Sequence, residues 1–183
     1  THQILKLLVY FLDFKSTVTL THTINTACYA LSLGKRQKLG DEDLNVLFTS
    51  AIVHDIGKIA TPTRILEFPG KLSPEDMGIM RYHVNHTKRI LGKIVSQLIF
   101  DAASRHHEKL TGRGYPSQLS AEELNTVQRT LTIADITSAL TDNRSYKGEF
   151  SKEHTLGIIN KMTEDGELDS GIVNILNQNF DWG

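Results

Sequence analysis

From residue 17 onward, apolar residues return every three or four positions, and nowhere do they alternate over the length of a strand. A 3.6-residue period buries one face of a helix, whereas a half-buried strand needs a period of two. The pattern restricts the chain to an all-α fold, a single compact domain of about seven to eight helices. Helices are expected over 17–34, stopped by Gly34, and over 40–58, opened by acids and run into Gly57. A helix over 72–92 has Ser73 as N-cap and Pro74 in its first turn, and another covers 93–107. A capping box of Ser120 and Glu123 opens a helix over 120–142, and two closing helices cover 151–164 and 169–180. Irregular backbone falls at 58–72 and 107–119, the kind of segment where sites tend to lie.

Composition narrows the function classes. The 183 residues suit one good core, and 39% hydrophobic with 22% charged content describes an ordinary globular chain. A net charge of −1 offers no global field to recruit DNA or a membrane surface, so neither is expected as a partner. No apolar run approaches the ~20 residues that span a bilayer. The single cysteine, Cys28, excludes an internal disulfide and fits a reducing, cytoplasmic location. It is expected to be a small buried hydrophobe. The segment "ILKLLVYFLDF" (4–14) is apolar on most sides and reads as an N-terminal helix within 1–16, with the main domain over 17–183. Because the chain starts at Thr1 and not Met, a longer parent with an upstream domain is expected.

Eight histidines are the unusual expenditure. "HDIGK" (54–58) ends a strongly apolar helix. Its imidazole and carboxylate are two different metal-ligand types, and a carboxylate can bridge two ions through its two oxygens. The same pentapeptide also reads as a His-Asp cap on a helix C-terminus. Other residues weigh toward metal. His22 lies mid-helix, His83 sits in "RYHVNH", and His106 and His107 close another helix. Asp135 has apolar neighbours at helical spacing in "TIADITSAL" and should face the core, where an ionised carboxylate needs a cation or several donors. Imidazoles and carboxylates facing inward from different helices describe a di-metal centre in a helical bundle, suited to iron or manganese.

These motifs, in this order over roughly 17–150, resemble the HD-GYP domains, a branch of the HD phosphohydrolase superfamily. The resemblance is carried by His22, by H-D-x-G-K at 54–58, and by "PGKLSPED" before His83. It continues through H-H-E with G-x-G-Y-P at 106–116, Ala134-Asp135, and "ALTDNRSYK" at 139–147. It implies a metal-dependent phosphodiesterase that hydrolyses cyclic di-GMP to linear pGpG or GMP through a hydroxide held between two ions. By position, His22, His54, Asp55 and Asp135 look like ligands of one metal. Asp55, bridging, looks like the ligand of a second with His83 and His106, and His107 matches a further family ligand. Lys58 matches a lysine that assists at the phosphate, and the loop with Tyr115 would close over the ligand. Arg144 and Lys147 match basic positions that contact the dinucleotide. An upstream sensor or receiver domain, and a homodimer through the N-terminal helix, are partners the family implies.

Two departures bear on this reading. Some members hold a third metal with a glutamate four residues before the leading histidine, where this chain has Val18, so two metals are expected. A second aspartate usually follows Asp135 by three residues, where this chain has Ser138, which removes a possible partner of a metal ligand. Two alternatives stand beside cyclic di-GMP: another cyclic dinucleotide such as 3′,3′-cyclic GMP-AMP, or a signalling relay acting through protein partners. Arg81, Lys88 and Arg89 form a basic cluster on the helix of His83, read as a solvated face or as an approach path for an anion.

Overall fold

A computed structural model describes residues 17–142 and 152–179. The N-terminal helix expected in 1–16, and Arg144 and Lys147, lie outside the described residues. Among them the regular structure is all helical, with no β-strand, and Thr111 and Ser120 form an isolated antiparallel bridge. The helices are α1 (Thr17–Arg36), α2 (Asp41–Val53), α3 (Thr63–Leu66), α4 (Pro74–Arg81), α5 (His83–Leu91), α6 (Gln97–Ser104), α7 (Thr126–Thr141), α8 (Lys152–Glu164) and α9 (Ser170–Asn179). Short 3-10 turns cover Ile56–Ala60 and Ala121–Glu123. No described helix is long and apolar enough to cross a membrane.

Helix α7 is the axis of the domain. It packs against α1, α2, α6, α8 and α9, and its side chains are buried almost continuously from Val127 to Ser138. Such burial is tolerable because its hydroxyls bond within the helix: Thr130, Thr132 and Thr137 each donate to the carbonyl four residues back. Leu33, Leu47, Leu131, Ile159 and Leu176 fill the main core around it. Truncating one such leucine to alanine costs ~2–5 kcal/mol. Small residues on the facing helices, Ala27, Ala30 and Ala134, are buried in the same cluster. A second cluster of Val53, Ile56, Leu91 and Ala103 lies under the 3-10 turn and α5.

Several boundaries differ from expectation. The span 72–92 is two helices, α4 and α5, parted at Tyr82. There the His83 imidazole takes the Met80 carbonyl at 2.8 Å, and the Tyr82 N–H turns back on the last carbonyls of α4. The Ser120–Glu123 capping box is formed, but it caps only a single 3-10 turn. A second box, Asn125 with Gln128, starts α7 at Thr126. Ser96 caps α6 at Gln97, later than the expected 93. Cys28 is exposed, contrary to expectation, since it stands off the buried stripe of Ala27 and Ala30 on α1.

Gly57 serves close packing, since positive φ is found at other glycines and not here. A Cβ at residue 57 would stand 1.9 Å from the His83 carbonyl oxygen and 2.5 Å from the Thr87 nitrogen, both backbone atoms. Thr87 fastens this contact, accepting from the Gly57 N–H at 3.0 Å and donating to the His54 carbonyl at 2.9 Å. Backbone cannot yield as a flexible side chain does, so Gly57→Ala should cost ~3 kcal/mol, the upper end for overpacking. Thermal unfolding checks this: the midpoint should fall by roughly 6 °C or more.

Candidate metal centre

Five histidines and two aspartates meet where α1, the end of α2, the start of α5, the turn after α6, and α7 converge. Each is delivered differently. His54 is the C-cap of α2 and Asp55 follows it, so the helix end aims both inward. His83 is the first residue of α5, placed by the break at Tyr82. His106 and His107 follow Arg105, the C-cap of α6, whose φ of −118° ends the helix. Adjacent residues would point far apart on a helix or a strand. Here they occupy a turn, and their ring centroids lie 4.0 Å apart.

Asp55 is 1% exposed and stands at the centre. Its Oδ2 faces His54 Nε2 at 3.3 Å and His22 Nε2 at 3.8 Å. Its Oδ1 faces His83 Nε2 at 3.2 Å and His106 Nε2 at 3.9 Å. Lys58 pairs its ammonium with Oδ2. Asp135, 5% exposed, is divided in the same way. Its Oδ1 faces His22 at 2.9 Å and His54 at 3.5 Å, and its Oδ2 faces His107 Nδ1 at 3.6 Å. Two groups result, each with ligand atoms within 4.8 Å of one another: His22, His54 and Asp55, and His83, His106 and His107.

The outer nitrogens set the tautomers. Nδ1 of His54, His83 and His106 lies 2.7–2.8 Å from the carbonyls of Ala51, Met80 and Ala103, which only accept. Each Nδ1 therefore carries a proton, and each ring turns its Nε2 inward, where a metal ion could take the lone pair. His54 Nε2 and Asp55 Oδ1 are buried with no hydrogen-bond partner among the described residues. Unpartnered buried acceptors amid two carboxylates are costly unless a cation takes them. The donor set thus fits divalent metal ions held by mixed nitrogen and oxygen ligands.

The electrostatics agree. Burial opposes charge on His54, yet Asp55 and Asp135 outweigh it and raise its pKa to about 10. His22 is raised in the same way, its burial overcome by Asp135 and Asp142. Burial and the neighbouring imidazoles hold His106 well below the ordinary histidine value. Burial holds His107 down to about 3, against the pull of Asp135. Burial works against charge on both aspartates too, but Lys58 and His54 hold Asp55 low, and His22 and His54 hold Asp135 low.

Three supporting residues were not foreseen. Asp142 Oδ2 accepts from His22 Nδ1 at 2.9 Å, and its Oδ1 accepts from Asn25 Nδ2 at 2.8 Å. Ser138 Oγ lies 2.9 Å from the same Nδ1. This corrects the expectation that serine there removes a partner: Ser138 and Asp142 together hold the His22 ring. Asp135, Ser138 and Asp142 lie three, then four residues apart on α7, and that one-face spacing was the available signal. Glu108, 1% exposed, accepts from the N–H groups of Ser117 at 2.7 Å and Leu119 at 3.1 Å, tying down the glycine loop. A Cβ on Gly114 would stand 2.4 Å from the Glu108 Cα, so only glycine permits this fold-back. The loop sets the Tyr115 ring on His107, centroids 4.6 Å apart, under the Arg81 guanidinium at 5.3 Å. Burial, with Asp135 and Asp55, pushes the Tyr115 phenol up, so it stays a neutral donor. Lys88 reaches Ser117 Oγ at 3.4 Å, so two of the three clustered cations touch this loop.

The HD domain family model matches residues 6–172. The chain belongs to this family. As an HD domain it is 32% identical over 174 residues to a 3′3′-cGAMP-specific phosphodiesterase of Vibrio cholerae, covering 94% of this chain and 40% of that protein. A cyclic di-GMP phosphodiesterase of Pseudomonas aeruginosa is 33% identical over 131 residues, 70% of this chain and 32% of that protein. The HD domain therefore spans well under half the length of these relatives. The HD domain of the L. monocytogenes phosphodiesterase PgpH, in complex with cyclic di-AMP, superposes with a TM-score of 0.70 at 18% identity, over 92% of this chain and 91% of that one. The all-α fold and the family read from the motifs both stand.

A proton and a metal ion compete for the same inward lone pair. His54, raised to about 10, carries a second proton at pH 7 in metal-free protein, and His22 is shifted in the same direction, whereas His106 and His107 are shifted the other way. Metal loading at pH 7 should release about one proton or more, the one on His54 foremost. Calorimetric titration in buffers of different ionisation enthalpy reads this directly; a heat independent of buffer would contradict it.

Proposed function

We propose that this HD domain is a metal-dependent phosphodiesterase hydrolysing cyclic di-GMP to linear pGpG, to GMP, or to both. The observation that carries the reading is the division of the Asp55 carboxylate, one oxygen toward His22 and His54 and the other toward His83 and His106. Such a carboxylate would serve two ions, iron or manganese in our reading, with Asp135 completing the first set and His107 available to the second. Ions held this way supply Lewis acidity and bring the pKa of a bound water from ~15.7 toward ~7.

The chain's own groups would do the rest. The imidazoles of His22, His54, His83 and His106 hold their nitrogens in place through fixed outer hydrogen bonds. Lys58 offers a positive charge at the edge of Asp55, where a phosphodiester would develop negative charge. Tyr115 stands at the loop edge as a neutral hydroxyl toward the substrate. Arg144 and Lys147 would contact the dinucleotide from beyond α7. Displacement of a ribose 3′-oxygen by water leaves a 5′-phosphate, and no side-chain nucleophile is required. A second reading, 3′,3′-cyclic GMP-AMP as substrate, is favoured by the likeness to the Vibrio cholerae protein. Residues 1–16 would connect the 17–183 domain to an upstream sensor or receiver domain, or pair two copies.

Turnover of a cyclic dinucleotide panel, with metal content measured on the same sample, tests the reading. Two ions per chain and hydrolysis of cyclic di-GMP are expected; full metal loading without turnover of any cyclic dinucleotide would contradict it. Lys58→Ala should keep its metals and lose ~100- to 1,000-fold in turnover. Near-normal turnover would remove Lys58 from the chemistry.

A further inference from the structure

A cleft of about 370 Å³ opens between the end of the Ile56–Ala60 turn and the α4–α5 junction. Its volume falls in the range of small-molecule sites, about 300–1,000 Å³. Its walls include Thr61, Glu75, Gly78, Ile79, Tyr82 and His86. The cleft adjoins the metal centre along the chain, since Thr61 follows Lys58 by three residues and Tyr82 directly precedes His83. None of these six side chains reaches Asp55 or Asp135, so the metal centre does not account for them.

The walls are unusually incomplete. Thr61 is 2% exposed, and its hydroxyl has no hydrogen-bond partner among the described residues. That oxygen is closed off from the cleft, so Thr61 walls it without offering it a donor. Tyr82 is 53% exposed although aromatic, and it meets His86 nearly at right angles, 78° with centroids 5.1 Å apart. Two rings so arranged make a corner for a flat ring to pack against. A Cβ added at Gly78 would meet nothing within 4 Å, so the helix backbone itself borders open space. Among the described residues the Glu75 side chain makes no hydrogen bond or ion pair, while its neighbour Asp76 is engaged by Ser73 and Arg64.

A flat heterocycle offered to this carboxylate must present donors to it. Guanine carries adjacent N1–H and N2–H groups on its pairing edge, which match the two oxygens of a carboxylate. Adenine sets the N1 lone pair beside its single amino group, and that lone pair would face negative charge. We propose that the cleft is a guanine subsite, in which Glu75 reads the pairing edge and Tyr82 and His86 pack on the ring. It rests on the phosphodiesterase reading above and sharpens it: substrates must contain at least one guanine. Cyclic di-GMP and 3′,3′-cyclic GMP-AMP both qualify, and cyclic di-AMP does not.

The test compares kcat/KM for cyclic di-GMP with kcat/KM for cyclic di-AMP in metal-loaded wild type, Glu75→Gln and Gly78→Leu. Each variant's thermal midpoint is recorded alongside, and both substitutions sit where the structure leaves room. Wild type should favour the guanine substrate, and Glu75→Gln should lower that preference by about tenfold or more. Gly78→Leu, which fills the cleft, should lower it as well. A preference unchanged within about twofold in both variants overturns the subsite while leaving the phosphodiesterase reading intact. Should wild type hydrolyse neither dinucleotide, that reading falls, and calorimetric binding of 5′-GMP against 5′-AMP decides the subsite. A preference for 5′-GMP that Glu75→Gln abolishes upholds it; equal affinity, or no binding, overturns it.

Discussion

Asp55 and Asp135 put two negative charges into an interior that would otherwise reject them. Both are almost wholly buried, and both stay ionised because imidazoles and one ammonium surround them. The rest of the domain can be read as the means of holding that arrangement. Helix α7 brings Asp135 to the centre while satisfying its own buried hydroxyls. Gly57 lets the 3-10 turn lie directly on α5, which brings Asp55 and His83 to 3.2 Å. Glu108 fixes the loop that carries Tyr115 onto His107.

The arrangement is also directional. Three imidazoles are locked by carbonyls on their outer nitrogens, and His22 is locked by Asp142 and Ser138. Outer hydrogen bonds of this kind orient a ligand and raise its basicity. The two carboxylates then divide their oxygens between the two imidazole groups. A centre built this way has one evident use for its charge, the binding of cations.

Much of this was legible in the sequence. Asp135 could be placed inside because its helical neighbours are apolar, and HDIGK, H-H-E and G-x-G-Y-P named the centre in order. What escaped was nonlocal or locally ambiguous. The break at Tyr82 has no proline or glycine to announce it, because its partner is the His83 side chain bonding back to Met80. The Ser120 box was real, yet a capping box fixes only the first turn, and Asn125 restarts the helix five residues on. Glu108 was visible in H-H-E, but its partners are backbone N–H groups nine and eleven residues away, which carry no side-chain signature. Ser138 looked like a loss because it was compared with an aspartate; the carboxylate that His22 meets comes instead from Asp142, one turn further along α7.

The central claim is that one carboxylate joins two metal sites, and the metal stoichiometry of Asp55→Ala tests it most directly. Elemental analysis of the anaerobically purified variant, beside wild type and with folding confirmed by circular dichroism, is the measurement. The account predicts that both ions are lost together from a folded protein. Retention of both at wild-type occupancy would contradict it.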